Sequence, residues 1–384
     1  MKGKKEFWAK TSGVWCLVII IGIFTCIGAV MGASNMLNTI MHTAHDLLLN
    51  TCFFLMAICV LMGALSRILA EFGVVDLLQK LLNPLMKPLF KLPGVASLGA
   101  VMTFFSDNPA IISLAKDKEF AKYFKKHQFI SLTNFGTAFG MGLIVIVFMI
   151  SQGFYWEPLV GLFGAVCGCI VSTRTMQRFV LKQYPTYDRE SALEIAQRIQ
   201  DNKEEDDEAG SRDSGFIRVL NAVLDGGKSG VDVGVAIIPG VLVISTLVMI
   251  LTFGPSASGA YTGAAYEGTE LLPWAAEKIN FIFDWLFGFE DPHLIAFPIT
   301  ALGAVGAALS LVPNFLAEGW VNGNAIAVFT AIGMCWSGYL STHTAMLDTL
   351  GFRKLTGKAI LAHTIGGLVA GIVAHWLYML IILL

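Results

Sequence analysis

Leu98-Gly99-Ala100-Val101, followed by Pro109, recurs as Leu302-Gly303-Ala304-Val305, followed by Pro313. The offset is 204 residues at both ends (302 − 98 and 313 − 109). Each copy sits in an apolar stretch, 94–113 and 294–313, too interrupted by Gly, Ser and Pro to read as a plain spanning helix. Paired segments of this kind, at corresponding places in two halves of a chain, point to the binding region of a repeat-built membrane protein. The match is four letters in a chain rich in Gly, Ala, Leu and Val. It predicts a structural repeat only if the surrounding architecture repeats as well.

Composition sets the class. The 384 residues are 55% hydrophobic and 14% charged, with mean hydropathy +0.68; soluble domains carry about 25% charge. The apolar runs are continuous over roughly 20 residues, the length of a spanning helix, rather than alternating as in a membrane barrel. Seven full spans are predicted, near 14–34, 51–70, 129–150, 157–176, 231–253, 324–345 and 359–383. The first follows Lys2, Lys4, Lys5 and Lys10 but ends at Asn35 without a small-residue cleavage site, so it reads as an uncleaved span. The seven cysteines fall within apolar spans and lack metal or disulfide spacing, which suits small core thiols.

Basic residues test the layout. If the two weaker stretches each enter and leave on one side, and the N-terminus is cytoplasmic, only Lys278 of the 26 Lys and Arg lies outside. That is the bias of the positive-inside rule. Hairpin 94–113 then dips in from the cytoplasm and hairpin 294–313 from outside. The expected fold is therefore all-α, a polytopic membrane protein of about seven transmembrane helices with two opposed re-entrant hairpins in an inverted-topology repeat. Its expected divisions are an N-terminal span and outer loop (1–50), a first repeat (51–182), a cytoplasmic acidic linker (183–229) and a second repeat (230–384). Connectors 75–91 and 271–289 read as helices lying along the membrane interface.

The candidate chemistry lies at interruptions of apolar sequence. In Ser106-Asp107-Asn108-Pro109, a capping side chain before Pro signals a helix start inside the membrane. Asp107 reads both as a cap and as a ligand, and an intramembrane carboxylate is a functional candidate by default. The second hairpin keeps Ser310, Pro313 and Asn314 but has no acid. At offset 204, Thr133-Asn134-Phe135-Gly136-Thr137 pairs with Ser337-Gly338-Tyr339-Leu340-Ser341, predicting locally unwound helices. Thr342, His343 and Thr344 extend the second cluster, with His343 either a proton carrier or a core histidine. His42, His45 and Asp46 resemble a helical metal pair but lack a helix-borne acid partner, and no metal is expected. There is no phosphate-cradling Gly-rich loop with Lys-Ser/Thr, no nucleophile elbow and no zinc-protease motif, so no enzyme and no cofactor are expected.

The layout resembles the Gate, or nucleoside-recognition, membrane proteins, a group that includes concentrative nucleoside transporters, ferrous iron transporter B proteins and spore maturation membrane proteins. The resembling stretches are Leu81–Gly142, with Gly99 and Ser106–Pro109, and Asp225–Ser341, with Gly226-Gly227 and Pro313-Asn314. The resemblance implies two opposed hairpins whose tips, with two unwound helices, hold a solute. By position it implies a site of Ser106, Asp107, Asn108, Thr133, Asn134, Thr137, Ser310, Asn314, Ser337 and Ser341. The expected function is a gradient-driven transporter of a small polar, nucleoside-like solute in the inner (plasma) membrane, coupled to sodium or protons. Its expected partners are that solute, the lipid bilayer and a second copy in a dimer, with no nucleic acid. The alternative is a non-transporting membrane component of a larger assembly, as in sporulation-type relatives.

Overall fold

The computed structural model describes residues 2–200 and 215–384. The acidic run Glu204–Glu208 lies outside the described residues. Among them, seven helical stretches are long and apolar enough to cross a membrane, and the protein is a multi-pass membrane protein. The first is α1 (Lys2–Met31). Helix α2 (Ala33–Asp46) continues through a π-helical turn, Leu47–Cys52, into α3 (Phe53–Glu71). Residues 33–46, read from the sequence as outer loop, are thus helical. Their polar letters (Asn35, Asn38, His42) bond or face the loop at 254–270, which supplies the contacts that water would have supplied to a loop. Asn35 Nδ2, for instance, donates to the Tyr261 carbonyl at 2.9 Å.

The remaining elements fall into two runs of the same order. After α3 come α4 (Val74–Leu85), then α5 (Ala96–Phe105), α6 (Pro109–Leu114) and α7 (Lys118–Ala121). A helix broken in two follows, α8 (Lys126–Thr137) and α9 (Gly142–Ser151), and then the long α10 (Glu157–Gln183). The short α11 (Leu193–Gln200) ends the first run. The second run opens with α12 (Gly215–Gly240) and α13 (Thr246–Thr252). It continues with α14 (Leu271–Glu277), α15 (Asn280–Phe287), α16 (Ala296–Gly303), α17 (Val305–Leu309) and α18 (Val312–Ala317). A second broken helix, α19 (Gly323–Cys335) and α20 (Tyr339–Thr349), precedes α21 (Thr356–Ile382). Helix α12 starts at Gly215, so 215–229, read as linker, belongs to the span.

The register of this repeat differs from the sequence expectation. The left-handed residue that breaks the first long helix is Met141 (φ 56°), and its counterpart is Gly338 (φ 62°), 197 residues later (338 − 141). The short helices break at Asp107 and at extended Ala304, again 197 apart (304 − 107). The repeated Leu-Gly-Ala-Val therefore lies inside α5 in one half and across the break in the other. Offset 204 does not relate equivalent residues. Small apolar letters recur because close helix packing selects them, wherever in a helix the contact falls.

Glycine joins the halves. A Cβ on Gly63 of α3 would stand 2.3 Å from the Gly226 carbonyl, and one on Gly226 would stand 2.4 Å from the Gly63 carbonyl. Helices α10 and α21 repeat the reciprocity, with Gly168 facing the Gly366 carbonyl (2.4 Å) and Gly366 that of Gly168 (2.7 Å). Each close contact thus pairs helices in equivalent places of the two runs. Buried Gly226, Gly230 and Gly234, four apart on α12, form the small-residue stripe that lets the backbones approach.

Candidate functional site

The chain between α5 and α6 cannot remain helical. Ser106 leaves helical geometry (φ −133°, ψ −122°) and Pro109 starts α6 at its first turn. No side chain caps α6. The Asp107 carboxylate accepts the Asn108 backbone N–H at 2.7 Å, while the Ala110 and Ile111 N–H groups are taken by the Asp107 and Asn108 carbonyls. The expected capping role of this triplet is therefore absent, because the tight backbone turn already satisfies the first donors. That leaves the side chains of Ser106 and Asn108 free to reach outward.

Asn108 is 3% exposed and stands between the two broken helices. Its Nδ2 donates to the Ser337 carbonyl, in the break between α19 and α20, and to Thr342 Oγ1 at 3.3 Å. Its Oδ1 faces Gly140, in the break between α8 and α9, where a Cβ would lie only 1.8 Å away. That Oδ1 has no hydrogen-bond partner among the described residues. One amide thus touches unwound backbone from both halves.

On the other side of the turn, exposed Ser106 borders a cavity of about 400 Å³ between α3, α12 and the short helices. Ser66, Arg67, Asp225 and Ser229 also line it. The Ser66 hydroxyl lies between the Met62 carbonyl of its own helix (2.6 Å) and the Phe105 carbonyl at the open end of α5 (3.0 Å), sharing one proton between them. In the second half Ser245 donates to the Ala307 carbonyl at 3.0 Å. A serine on each long helix thus holds the short helices to it.

The other expected site residues are placed differently. Thr133, Asn134 and Thr137 are wholly buried inside α8, before the break. Thr137 Oγ1 donates to the Thr133 carbonyl (2.7 Å), and Asn134 Nδ2 donates to Ser172 Oγ (3.0 Å) and the Ala359 carbonyl (2.9 Å), tying α8 to α10 and α21. Ser341 Oγ donates to the Gly338 carbonyl at 3.0 Å, inside the second break. Ser310 Oγ donates to the Ala307 carbonyl at 2.7 Å, six residues past the Ala304 break. Asn314, ten residues past it, lies beside Tyr266 of the 254–270 loop. The expected second tip at 310–314 is therefore displaced, since the 197-residue register puts the break at Gly303–Ala304. His343 is fully buried edge-on to His363 (ring centroids 4.7 Å), among core aromatic contacts. The residues missed at the site are Gly140, Ser66 and Thr342's contact; the Phe-Gly-Met-Gly run at 139–142 was the available signal.

A polytopic helical membrane protein whose two runs each contain short helices and a broken helix, with a buried amide from one run bonded at the helix break of the other, is the class this arrangement defines. Residues 52–153, from the start of α3 past the end of α9, match the Gate family, described as nucleoside recognition. Among solved structures the chain is similar to CNTnw, a concentrative nucleoside transporter, in an inward-facing substrate-bound state, with TM-score 0.56 and 13% identity over 98% of this chain and 86% of that one. It is similar to a doubly substituted CNTnw in an outward-facing state at TM-score 0.55, with the same identity and coverage. The near-equal scores establish the fold and do not select a state. An uncharacterized protein of Alkalihalophilus pseudofirmus is 23% identical over 252 residues, 64% of this chain. The match spans about half (52%) of that relative's length.

Proposed function

We propose that this protein is a secondary transporter of a small polar, nucleoside-like solute, working by alternating access across the cytoplasmic membrane. The observation that carries the reading is Asn108, a buried amide between two helix breaks with an unpaired carbonyl oxygen. A side-chain amide so placed suits the donors and acceptors of a neutral polar solute. The Gate match and the transporter fold support a nucleoside as the first class to try.

Basic residues support the orientation, with the N-terminus cytoplasmic, the C-terminus outside and Lys278 as the outer cation. In that frame the two runs are inverted, α5–α6 enters from the cytoplasm and α16–α17 from outside. Each short pair would then gate one path to the junction. Asp107 is the proposed contact for the solute or for a coupling sodium ion or proton.

The test is a thermal-shift screen of purified protein against nucleosides, with and without sodium, followed by uptake into proteoliposomes. The expected outcome is a stabilising nucleoside whose effect disappears in Asn108→Ala. No shift and no uptake with any nucleoside or related polar metabolite would favour the alternative, a non-transporting component of a larger membrane assembly.

A further inference from the structure

We propose that the protein holds one anionic phospholipid between α4 and α10, with its acyl chain in an apolar cavity and its phosphate on a basic rim. The cavity measures about 280 Å³ and is lined only by apolar side chains, among them Leu82, Leu89, Phe104, Phe139, Leu162 and Val166. Leu85 at its rim is 44% exposed. A cleft of this composition, opening from a spanning helix, takes a hydrocarbon chain and no polar solute.

The rim supplies the headgroup chemistry. From Leu77 to Ser106 the chain carries Lys80, Lys87 and Lys91 and no Asp or Glu. From Pro158 to Tyr187 it carries Arg174, Arg178 and Lys182 and again no Asp or Glu. The fold clamps these two stretches together next to the cavity. Arg174 Nη2 donates to the Pro88 carbonyl, beside cavity-lining Leu89, and Gln177 Nε2 donates to the Phe90 carbonyl at 3.1 Å. Arg174 Nε is buried without a hydrogen-bond partner. None of Lys87, Lys91 and Arg174 is in an ion pair among the described residues. Unpaired cations of one sign next to an apolar slot match a phosphate diester with an attached chain.

Native mass spectrometry of the delipidated full-length protein tests the site, with phosphatidylglycerol and phosphatidylcholine of identical chains as probes. Phosphatidylglycerol is expected to bind at least about tenfold more tightly, with glycerol 3-phosphate alone not binding. Arg174→Gln with Lys87→Gln should bring both lipids to the same affinity, and Val166→Trp should weaken both. Lys91→Gly is the safer companion, because Lys91 already holds a left-handed conformation (φ 55°) that glycine adopts freely. It too should lower the preference for phosphatidylglycerol. Equal binding of the two lipids to the unaltered protein, binding of glycerol 3-phosphate alone, or a preference that survives all the rim variants would overturn the proposal. None of these outcomes depends on the solute.

Discussion

The Asn108 side-chain amide donates to the backbone carbonyl of Ser337, a residue 229 positions away in the other half of the chain. The bond joins a break between short helices in one run to a break within a long helix in the other. A helix break exposes carbonyls that need partners in a dry interior. Here the partner is a side chain that the proposed solute would also meet.

Asn108→Ala should leave the Ser337 carbonyl unpaired, which costs about 1–3 kcal/mol. Solute affinity should fall with it. Asn314→Ala alters a contact with Tyr266 of the 254–270 loop instead, so its effect on affinity should be smaller. Denaturation midpoints and calorimetry on both variants check this, and equal losses of affinity would remove the special place given to Asn108.

Asp107→Asn keeps an acceptor oxygen for the Asn108 N–H, so folding should be close to unchanged. If the carboxylate meets solute or coupling ion, uptake should fall at least tenfold, about 1.4 kcal/mol. Normal uptake would reduce Asp107 to its backbone contact.

Gly227 and Gly230, three residues apart on α12, should respond in opposite directions. A Cβ on Gly230 would lie 2.3 Å from the Cys59 carbonyl, whereas one on Gly227 meets nothing nearer than Val60 Cγ1 at 3.7 Å. Gly230→Ala should force α3 and α12 apart and cost about 1–3 kcal/mol. Gly227→Ala should be neutral or stabilising by roughly 0.5–1 kcal/mol, the usual gain of replacing glycine within a helix. Melting temperatures of the two variants decide it.

The proposed orientation is open to labelling. In a background lacking exposed Cys16 and Cys26, Lys122→Cys should be shielded from an impermeant thiol reagent added outside. Ala264→Cys, exposed in the 254–270 loop, should react. Outside labelling at position 122 would turn the first short pair into a full crossing and end the inverted arrangement.

Acid should loosen the connector after α10. Lys126 Nζ reaches Glu190 and Glu194, each at 2.7 Å, and the Lys126 N–H donates to the Glu190 carbonyl at 2.9 Å. The hydrogen bond from Lys126, then that from Thr186, holds the Glu190 carboxyl below its ordinary value of 4.5. A depressed carboxyl contributes stability above its unfolded value, and that stability is lost as pH falls through the lower folded value. The Ala192 N–H donates to the Phe124 carbonyl at 3.0 Å, and its hydrogen exchange, corrected for intrinsic rate, should therefore rise on acidification below 4.5. Lys126→Gln should give the same loosening at neutral pH, and an Ala192 amide insensitive to both would show that the ion pairs do not hold this segment.

The sequence by itself determined the helical membrane class, the seven crossings and the interruption at Ser106–Pro109. Each rests on a local property, since an apolar run of sufficient length must pair its own backbone as helix in lipid and proline ends that helix from within. Tertiary structure alone decided the register. The repeated Leu-Gly-Ala-Val looked like an equivalence, yet the breaks align at Asp107 with Ala304 and Met141 with Gly338. Small apolar residues are interchangeable along a packed helix, so their letters carry little positional information, whereas a backbone break depends on what surrounds it. Ala304, extended with neither proline nor acid beside it, has only the neighbouring Gly303 as a local signal, and the same Gly at position 99 lies inside a helix. The partner of the Gly226, Gly230 and Gly234 stripe is also a tertiary matter, because only the folded chain brings Gly63 against it. Asn108 shows the same division: its neighbour Pro109 announced a turn, and the carbonyl it serves is set by packing between halves.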